Sequence, residues 1–457
     1  MRKSLALPAL AAALALALAA CGLGSTAPAA APAAARAPEL APGQQVSIVL
    51  ESYNFGQAGA WNDTFTALLA AFHQKYPNIT VTGQKPQGGS ANPATDSVSS
   101  VQAQLATGNP PDVAQLGFSD LDFAVSQLGA KSLDDLVGAD AVKANFGGTL
   151  PFAPKAATLG DVDGKTYGVP FVFSTPVLFY NASLFKAAGL DPAKPPTTWD
   201  EVKADGLAIA KVTGKDGAYV DCVTKAAKDW CLQSVVRSNG GRVISPDQKT
   251  LEFADAPAVQ AVAMLQDLVT SGASPKLSQA QAVDAFGRGT LGMILESSAL
   301  QGTFTKGAQG AGWDLRGTGT PAFAGKPVVP TNSGAALFVL SKDPAKQRAA
   351  WDLITFLTSP EAYVQISSKI GYLPLRTGLV DDPAGLQAWA AKNPLVRTNL
   401  DQMAVMEPWA SFPGTDYVQI RDGMMAAVEQ VVLQGSDPAT TLKAAADRQA
   451  PLLKSGQ

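Results

Sequence analysis

Along the chain from Val46, apolar positions change their period several times, and each change marks an element. Val46, Ile48 and Leu50 recur at period two, as in a strand with one buried face. Trp61, Phe65, Leu68, Leu69, Phe72 and Tyr76 follow at helical spacing and predict a helix with one apolar face, stopped at Pro77-Asn78. Ile79-Thr80-Val81-Thr82 reads as a second strand. Val98, Val101 and Leu105 mark a helix ended by Gly108-Asn109-Pro110, and Asp112-Val113-Ala114-Gln115-Leu116 is a third short strand. Strand and helix alternate, which predicts an α/β unit with a largely parallel sheet and helices on both faces.

The pattern restarts after Gly164. Tyr167 to Asn181 is long, apolar and rich in β-formers. Thr198-Trp199-Asp200-Glu201 is a capping box that opens a helix. Asp255-Ala256-Pro257 opens another, with Val259, Val262 and Leu265 on one side and Gly272 as its stop. Leu291–Leu295 and Ala335–Leu340 read as buried strands, and Ser359-Pro360-Glu361 caps one more helix. Gln419 to Leu453 is helical in pattern, and no repeat of solenoid length is present.

The 457 residues fill two or three domains. With 46% hydrophobic and 16% charged residues the chain can bury large cores. The net charge of −3 provides no basic field for nucleic acid. A single histidine, His73, rules out multi-histidine zinc sites. It sits on a polar helix face between Phe72 and Gln74 and reads as a surface residue.

The N-terminus reads as an address. Arg2 and Lys3 precede an apolar run from Leu5 to Ala20, broken only by Pro8, that fits a secretory signal. It ends in Leu18-Ala19-Ala20-Cys21-Gly22, which looks like a bacterial lipobox with Cys21 as the lipidated residue. Two or more acyl chains anchor durably, at about 0.8 kcal/mol per buried CH₂. Residues 22–45, rich in Ala and Pro, read as a flexible tether. No later stretch offers about 20 uninterrupted apolar residues, so no transmembrane helix is expected after the signal. With Cys21 used by lipid, Cys222 and Cys231 remain, and outside the cytoplasm a disulfide between them is the expected state; two thiols in a metal or redox site are the alternative.

A family resemblance begins at Gly164-Lys165-Thr166-Tyr167-Gly168-Val169-Pro170 and runs through Phe173–Asn181, Phe185–Pro192 and Pro195–Glu201. It continues at Ser238-Asn239-Gly240-Gly241, at Ala285–Gly289 leading into the Met293 strand, and at Phe356–Ala362 followed by Gly371-Tyr372-Leu373-Pro374. In this order the motifs resemble the extracellular solute-binding proteins of bacterial ABC importers, in the branch that carries sugars and glycerol phosphates. The resemblance covers the body after about Gln45.

It implies an α/β fold of two lobes with a ligand cleft between them, 46–171 with 334–372 as lobe 1 and 172–333 with 373–457 as lobe 2. Hinge crossings are expected near Pro170–Ser174 and Asn332–Gly334, where Pro, Ser and Gly can absorb backbone rotation. The implied protein is a non-enzymatic monomer without metal or cofactor. It would be lipid-anchored in the periplasm or on the outer face of the cytoplasmic membrane, and would deliver its ligand to the permease.

A sugar needs aromatic faces for its C–H surface and small polar groups for its hydroxyls. Tyr53 follows the first strand at the end where open α/β sheets bind ligands. Trp230 lies beside Cys231, where the family stacks a tryptophan on its ligand, and Ser174 sits in the hinge motif. Ser333 and Gly334 match a segment whose backbone approaches the ligand. Tyr372, Trp409 in the C-terminal segment and Ser297 after the Met293 strand complete the set. Trp61 shares the stripe of Phe65 and Phe72 and reads as core.

Two departures bear on the ligand. Glycerol-phosphate binders carry a Tyr-Glu pair where this chain has Ala94-Thr95-Asp96, and an arginine where it has Ser411-Phe412-Pro413-Gly414-Thr415. Without that bidentate anchor a neutral sugar, a short oligosaccharide, is the expected ligand. Glycerol-3-phosphate or a glycerophosphodiester is the alternative. A secreted carbohydrate-active enzyme would need paired carboxylates, for which Glu51, Asp112 and Glu296 are the conceivable members.

Overall fold

Two β-sheets organise the computed structural model, which describes residues 36–57, 60–90 and 92–455. The signal segment and Cys21 lie outside the described residues. The strands used below are β1 (Val46–Glu51), β2 (Ile79–Gln84), β3 (Val113–Gly117), β4 (Gly168–Ser174), β5 (Pro176–Asn181), β6 (Asp216–Val220), β7 (Leu291–Ser297), β8 (Leu315–Thr318) and β9 (Ser333–Val339). The first sheet has the order β2-β1-β3-β9-β4 and the second β8-β5-β7-β6.

The first sheet is mixed rather than largely parallel. β1 runs parallel to β2 and β3, but β9 is antiparallel to both its neighbours, β3 and β4. The reason lies in the route of the chain. β9 enters from the second sheet, at the end where β1 and β3 finish, so it must run against them. This could not be read from local periodicity, because antiparallel β9 is as apolar as a parallel core strand. In the second sheet β5 is antiparallel to β7 and β8, and β6 is parallel to β7.

The chain passes from one sheet to the other through a single residue, Thr175, between Ser174 of β4 and Pro176 of β5. Its carbonyl accepts from Ser298 N at 2.9 Å. The return path is 319–332. A register shift beside Pro170 lets β4 accommodate a residue that cannot donate to the ladder.

The predicted helices form where their caps stand. Thr198 Oγ1 accepts from Glu201 N (3.3 Å), and Glu201 accepts from Thr198 N (3.0 Å), opening helix Trp199–Thr213. Ser359 opens Pro360–Lys369, and Ala256–Thr270 stops before Gly272, whose φ is +84. The C-terminal helical pattern divides at Gly435 into Tyr417–Gln434 and Pro438–Ser455. His73 is exposed, with Nδ1 3.0 Å from Ile79 O.

Two segments differ from expectation. The tether is not free along its whole length: Ala37 is buried, its N–H donates to Leu136 O at 2.8 Å, and Glu39 pairs with Arg348. The boundary drawn after Tyr372 does not coincide with a change of partners. Arg376 spends its donors on the carbonyls of Thr358, Leu150 and Asn145, and Leu375 O accepts from Ala153 N. A guanidinium with five donors satisfies loop carbonyls that would otherwise lack partners, and so holds 375–377 beside the first sheet's helices. No helix among the described residues is long and apolar enough to cross a membrane.

Candidate functional site

The ends of the strands converge on a cleft of about 750 Å³, in the size range of small-molecule sites. All eight residues singled out for ligand contact line it. Tyr53, Ser174, Ser297 and Ser333 lie at strand ends, with Gly334, Trp230, Tyr372 and Trp409 around them.

Ser174 and Ser333 are register partners on β4 and β9, and Ser297 Oγ donates to Ser174 Oγ at 2.8 Å. Three hydroxyls from three strands therefore meet where the sheets join. Gly334 is the residue that lets β9 approach: its φ is +122, and a Cβ built on it would lie 2.0 Å from Val172 O. Only glycine fits there.

The aromatic walls are fixed from behind. The Tyr372 and Tyr53 phenols neighbour each other, and burial pushes both upward, which keeps them neutral. Trp61 meets Tyr372 edge-on, with centroids 4.9 Å apart. Trp61 is core, as its stripe implied, but it also lines the cleft; a helix stripe cannot reveal that one of its members reaches a cavity.

Across the cleft, Trp230 opens helix Trp230–Ser238, which is tied by the Cys222–Cys231 disulfide. Trp409 donates through Nε1 to Asp229 Oδ1 at 2.9 Å. Gln233 clamps Ala410 by two bonds, to its carbonyl at 2.9 Å and from its N–H at 3.0 Å. Disulfide, helix and C-terminal segment thus form one rigid wall.

Charge enters the lining through Lys228 and Glu429, which the sequence did not mark, and through Glu296, which it did. Lys228 is buried, with φ +56 in a region seldom used by side-chain-bearing residues. Its Nζ lies 5.8 Å from the Trp409 ring centroid and 3.7 Å from Asp120. Burial lowers its pKa and the Asp120 charge opposes that. Asp120 also accepts from Tyr417 Oη at 2.9 Å. Glu296 and Glu429 line the cleft too.

Of the acids considered for hydrolysis, Glu51 is bonded to Gln84 and Gln104, and Asp112 to Val49 N and Lys346. Both serve the first sheet and neither lines the cleft; Glu296 does. No group of acids, cysteines and histidine among the described residues could hold a metal ion.

The comparisons follow this geometry. The family model "Bacterial extracellular solute-binding protein" matches residues 67–398. The sn-glycerol-3-phosphate-binding periplasmic protein UgpB of Pectobacterium atrosepticum is 28% identical over 307 residues, 64% of this chain and 67% of that one. Among solved structures, the cyclic alpha-maltosyl-1,6-maltose binding protein of Arthrobacter globiformis superposes with a TM-score of 0.72 at 22% identity, over 90% of this chain and 100% of that one. UgpB from Mycobacterium tuberculosis, in complex with glycerophosphocholine, gives 0.75 at 21%, over 90% and 98%. With the match spanning well over half of its length, and with the two-lobed fold of these neighbours, the chain belongs to the bacterial extracellular solute-binding proteins.

Proposed function

We propose that the protein is the lipid-anchored, extracytoplasmic receptor of an ABC importer, binding a carbohydrate, a short neutral oligosaccharide, and handing it to the permease. The observation that carries the reading is the make-up of the cleft. Rings from Tyr53, Trp230, Tyr372 and Trp409 stand around hydroxyls from Ser174, Ser297 and Ser333. Rings cover the apolar faces of a pyranose while hydroxyls and backbone groups read its edges. The lobes are 46–171 with 334–372, extended by 375–377, and the remainder. They close on the ligand about Thr175 and 332–334, and closure is the state that the permease reads. Cys21 holds the receptor at the membrane through its lipid, and the chain acts as a monomer without catalysis.

A second reading, glycerol-3-phosphate or a glycerophosphodiester, is favoured by the names of the relatives and by Lys228. Against it, Lys228 already faces Asp120, and 411–415 supplies no arginine. Calorimetry of the purified protein against maltose-type oligosaccharides, other sugars and glycerophosphodiesters decides between them. Saturable binding of a sugar without turnover is expected; binding of phosphodiesters alone would replace this reading with the second.

A further inference from the structure

The cleft is electrically lopsided. The cation Lys228 has its counter-charge in Asp120. Glu296, in β7, also lines the cleft, and Asp221, just after β6, is held beside it by the bond from its N–H to Leu295 O at 3.0 Å; the two carboxyls are 3% and 1% exposed. Asp221 is raised by burial, then by the charge of Glu296 and the bond to it; Glu296 is raised by burial and lowered by the bond it accepts. Two neighbouring carboxyls buried this deeply resist ionising together, and Glu296 is the one of the two that lines the cleft.

The pair is under-supplied with donors. Gln279 Nε2 reaches Asp221 Oδ2 at 2.8 Å, but Asp221 Oδ1, Glu296 Oε2 and the neighbouring Tyr219 hydroxyl have no other hydrogen-bond partner among the described residues. Glu429, from helix Tyr417–Gln434, adds another carboxylate to the same lining. Burial and the charges of Asp221, Glu296 and Glu429 all push the Tyr219 phenol upward. No lysine or arginine pairs with any of the three acids among the described residues, and they do not form a metal-holding group.

We propose that the acidic part of the lining is a subsite for a basic nitrogen, a protonated amine on one unit of the bound carbohydrate, with Glu296 as its acceptor and Glu429 as its second counter-charge. This rests on the carbohydrate reading and alters it in one respect, adding a single cationic group to an otherwise neutral ligand. A sugar hydroxyl would satisfy one oxygen but leave the negative charge buried once the lobes shut. An ammonium brings three donors and cancels that charge. A phosphate would meet only repulsion here. The rest of the ligand stays neutral, matched to the rings and serines.

The test uses the whole protein and sugars matched in shape: glucose with glucosamine, galactose with galactosamine, and cellobiose with the β-1,4 dimer of glucosamine. Each amine is also offered N-acetylated, which removes the charge. The amino member of at least one pair is expected to bind about tenfold or more tighter than its neutral and acetylated counterparts, the scale of one charged hydrogen bond. Glu296→Gln brings that ratio close to one. Glu429→Gln, on a half-exposed helix position, lowers it severalfold and guards against a folding defect in the first variant. The proposal is overturned if no amino sugar exceeds its counterparts, whether or not the neutral sugars bind, or if the preference survives Glu296→Gln. Neutral sugars binding with a ratio of one would sink the subsite alone. Binding of glycerophosphodiesters with no sugar at all would sink the carbohydrate reading as well.

Discussion

Trp409 donates its indole N–H to the buried carboxylate of Asp229, and this bond fastens the C-terminal segment to the wall that carries Trp230. Asp229 is raised by burial and pulled back by Arg421, Gln233 and Trp409, so the indole is one of the groups that favour its charged form. Trp409→Phe keeps a ring in the cleft but removes that donor. The expected cost is about 1–3 kcal/mol of stability, that of leaving a buried acceptor unpaired. A denaturant melt measures it; an unchanged midpoint would show that the bond does not hold the wall.

Trp230 needs a different variant. Its side chain is buried in the core as well as lining the cleft, so Trp230→Ala should cost about 3–5 kcal/mol in the ligand-free protein. Trp230→Phe preserves most of the volume and reports on stacking. It should weaken sugar binding severalfold in calorimetry while the ligand-free melt moves little. Full retention of affinity would assign the ring to packing alone.

The Cys222–Cys231 bond closes a short loop that ends at the first residues of helix Trp230–Ser238. In the chain-entropy model a loop of this length stabilises by about 2–3 kcal/mol. Reduction, or Cys222→Ser with Cys231→Ser, should lower the melting midpoint accordingly. Because Trp230 and Trp409 share this wall, affinity should fall with it. If calorimetry on the folded double variant returned the affinity of the unaltered protein, the wall would not depend on its crosslink.

Gly334 tests the approach of β9 to β4. With φ +122 and Val172 O where a Cβ would sit, Gly334→Ala should strain the backbone by about 1–3 kcal/mol and force the strands apart besides. Low soluble yield or a strongly reduced midpoint is expected. A variant of normal stability and normal ligand affinity would mean that this close approach is dispensable.

How much of this was legible without coordinates depends on the range of each signal. Caps and stripes are local, so Thr198-Glu201, Ser359-Pro360 and the Trp61–Phe72 face appear in the structure where the residues put them. Tyr53 was reached from its place at the end of the first strand and the other cleft residues mainly from the ordered motifs, since nothing near Tyr53 or Trp409 in the chain shows that they meet. The reversed direction of β9 depends on a chain return more than 200 residues after β3. The partners of Arg376 likewise lie more than 200 residues away at Asn145 and Leu150. Lys228 and Asp221 were missed for a related reason: a lone charge carries no period, and only burial distinguishes it from a solvated one.

The acid pair also sets a pH dependence of stability. Asp221 and Glu296 are both raised by burial above the unfolded carboxylate values of about 4. Between those values and the raised folded ones, the native state holds more protons than the unfolded chain, so stability falls as pH rises through this window. Asp205, raised to about 6 by burial, adds to the same slope but is half-exposed and contributes less. The ligand-free protein should therefore melt higher near pH 5 than near pH 8, against the usual behaviour of salt-bridged carboxylates. Asp221→Asn removes the proton that the pair must share and should flatten the difference between the two pH values. Asp205→Asn should remove only a small part of it. A slope unaltered in Asp221→Asn would mean that the pair is ionised on both members in the folded protein and that its charge is offset by solvent.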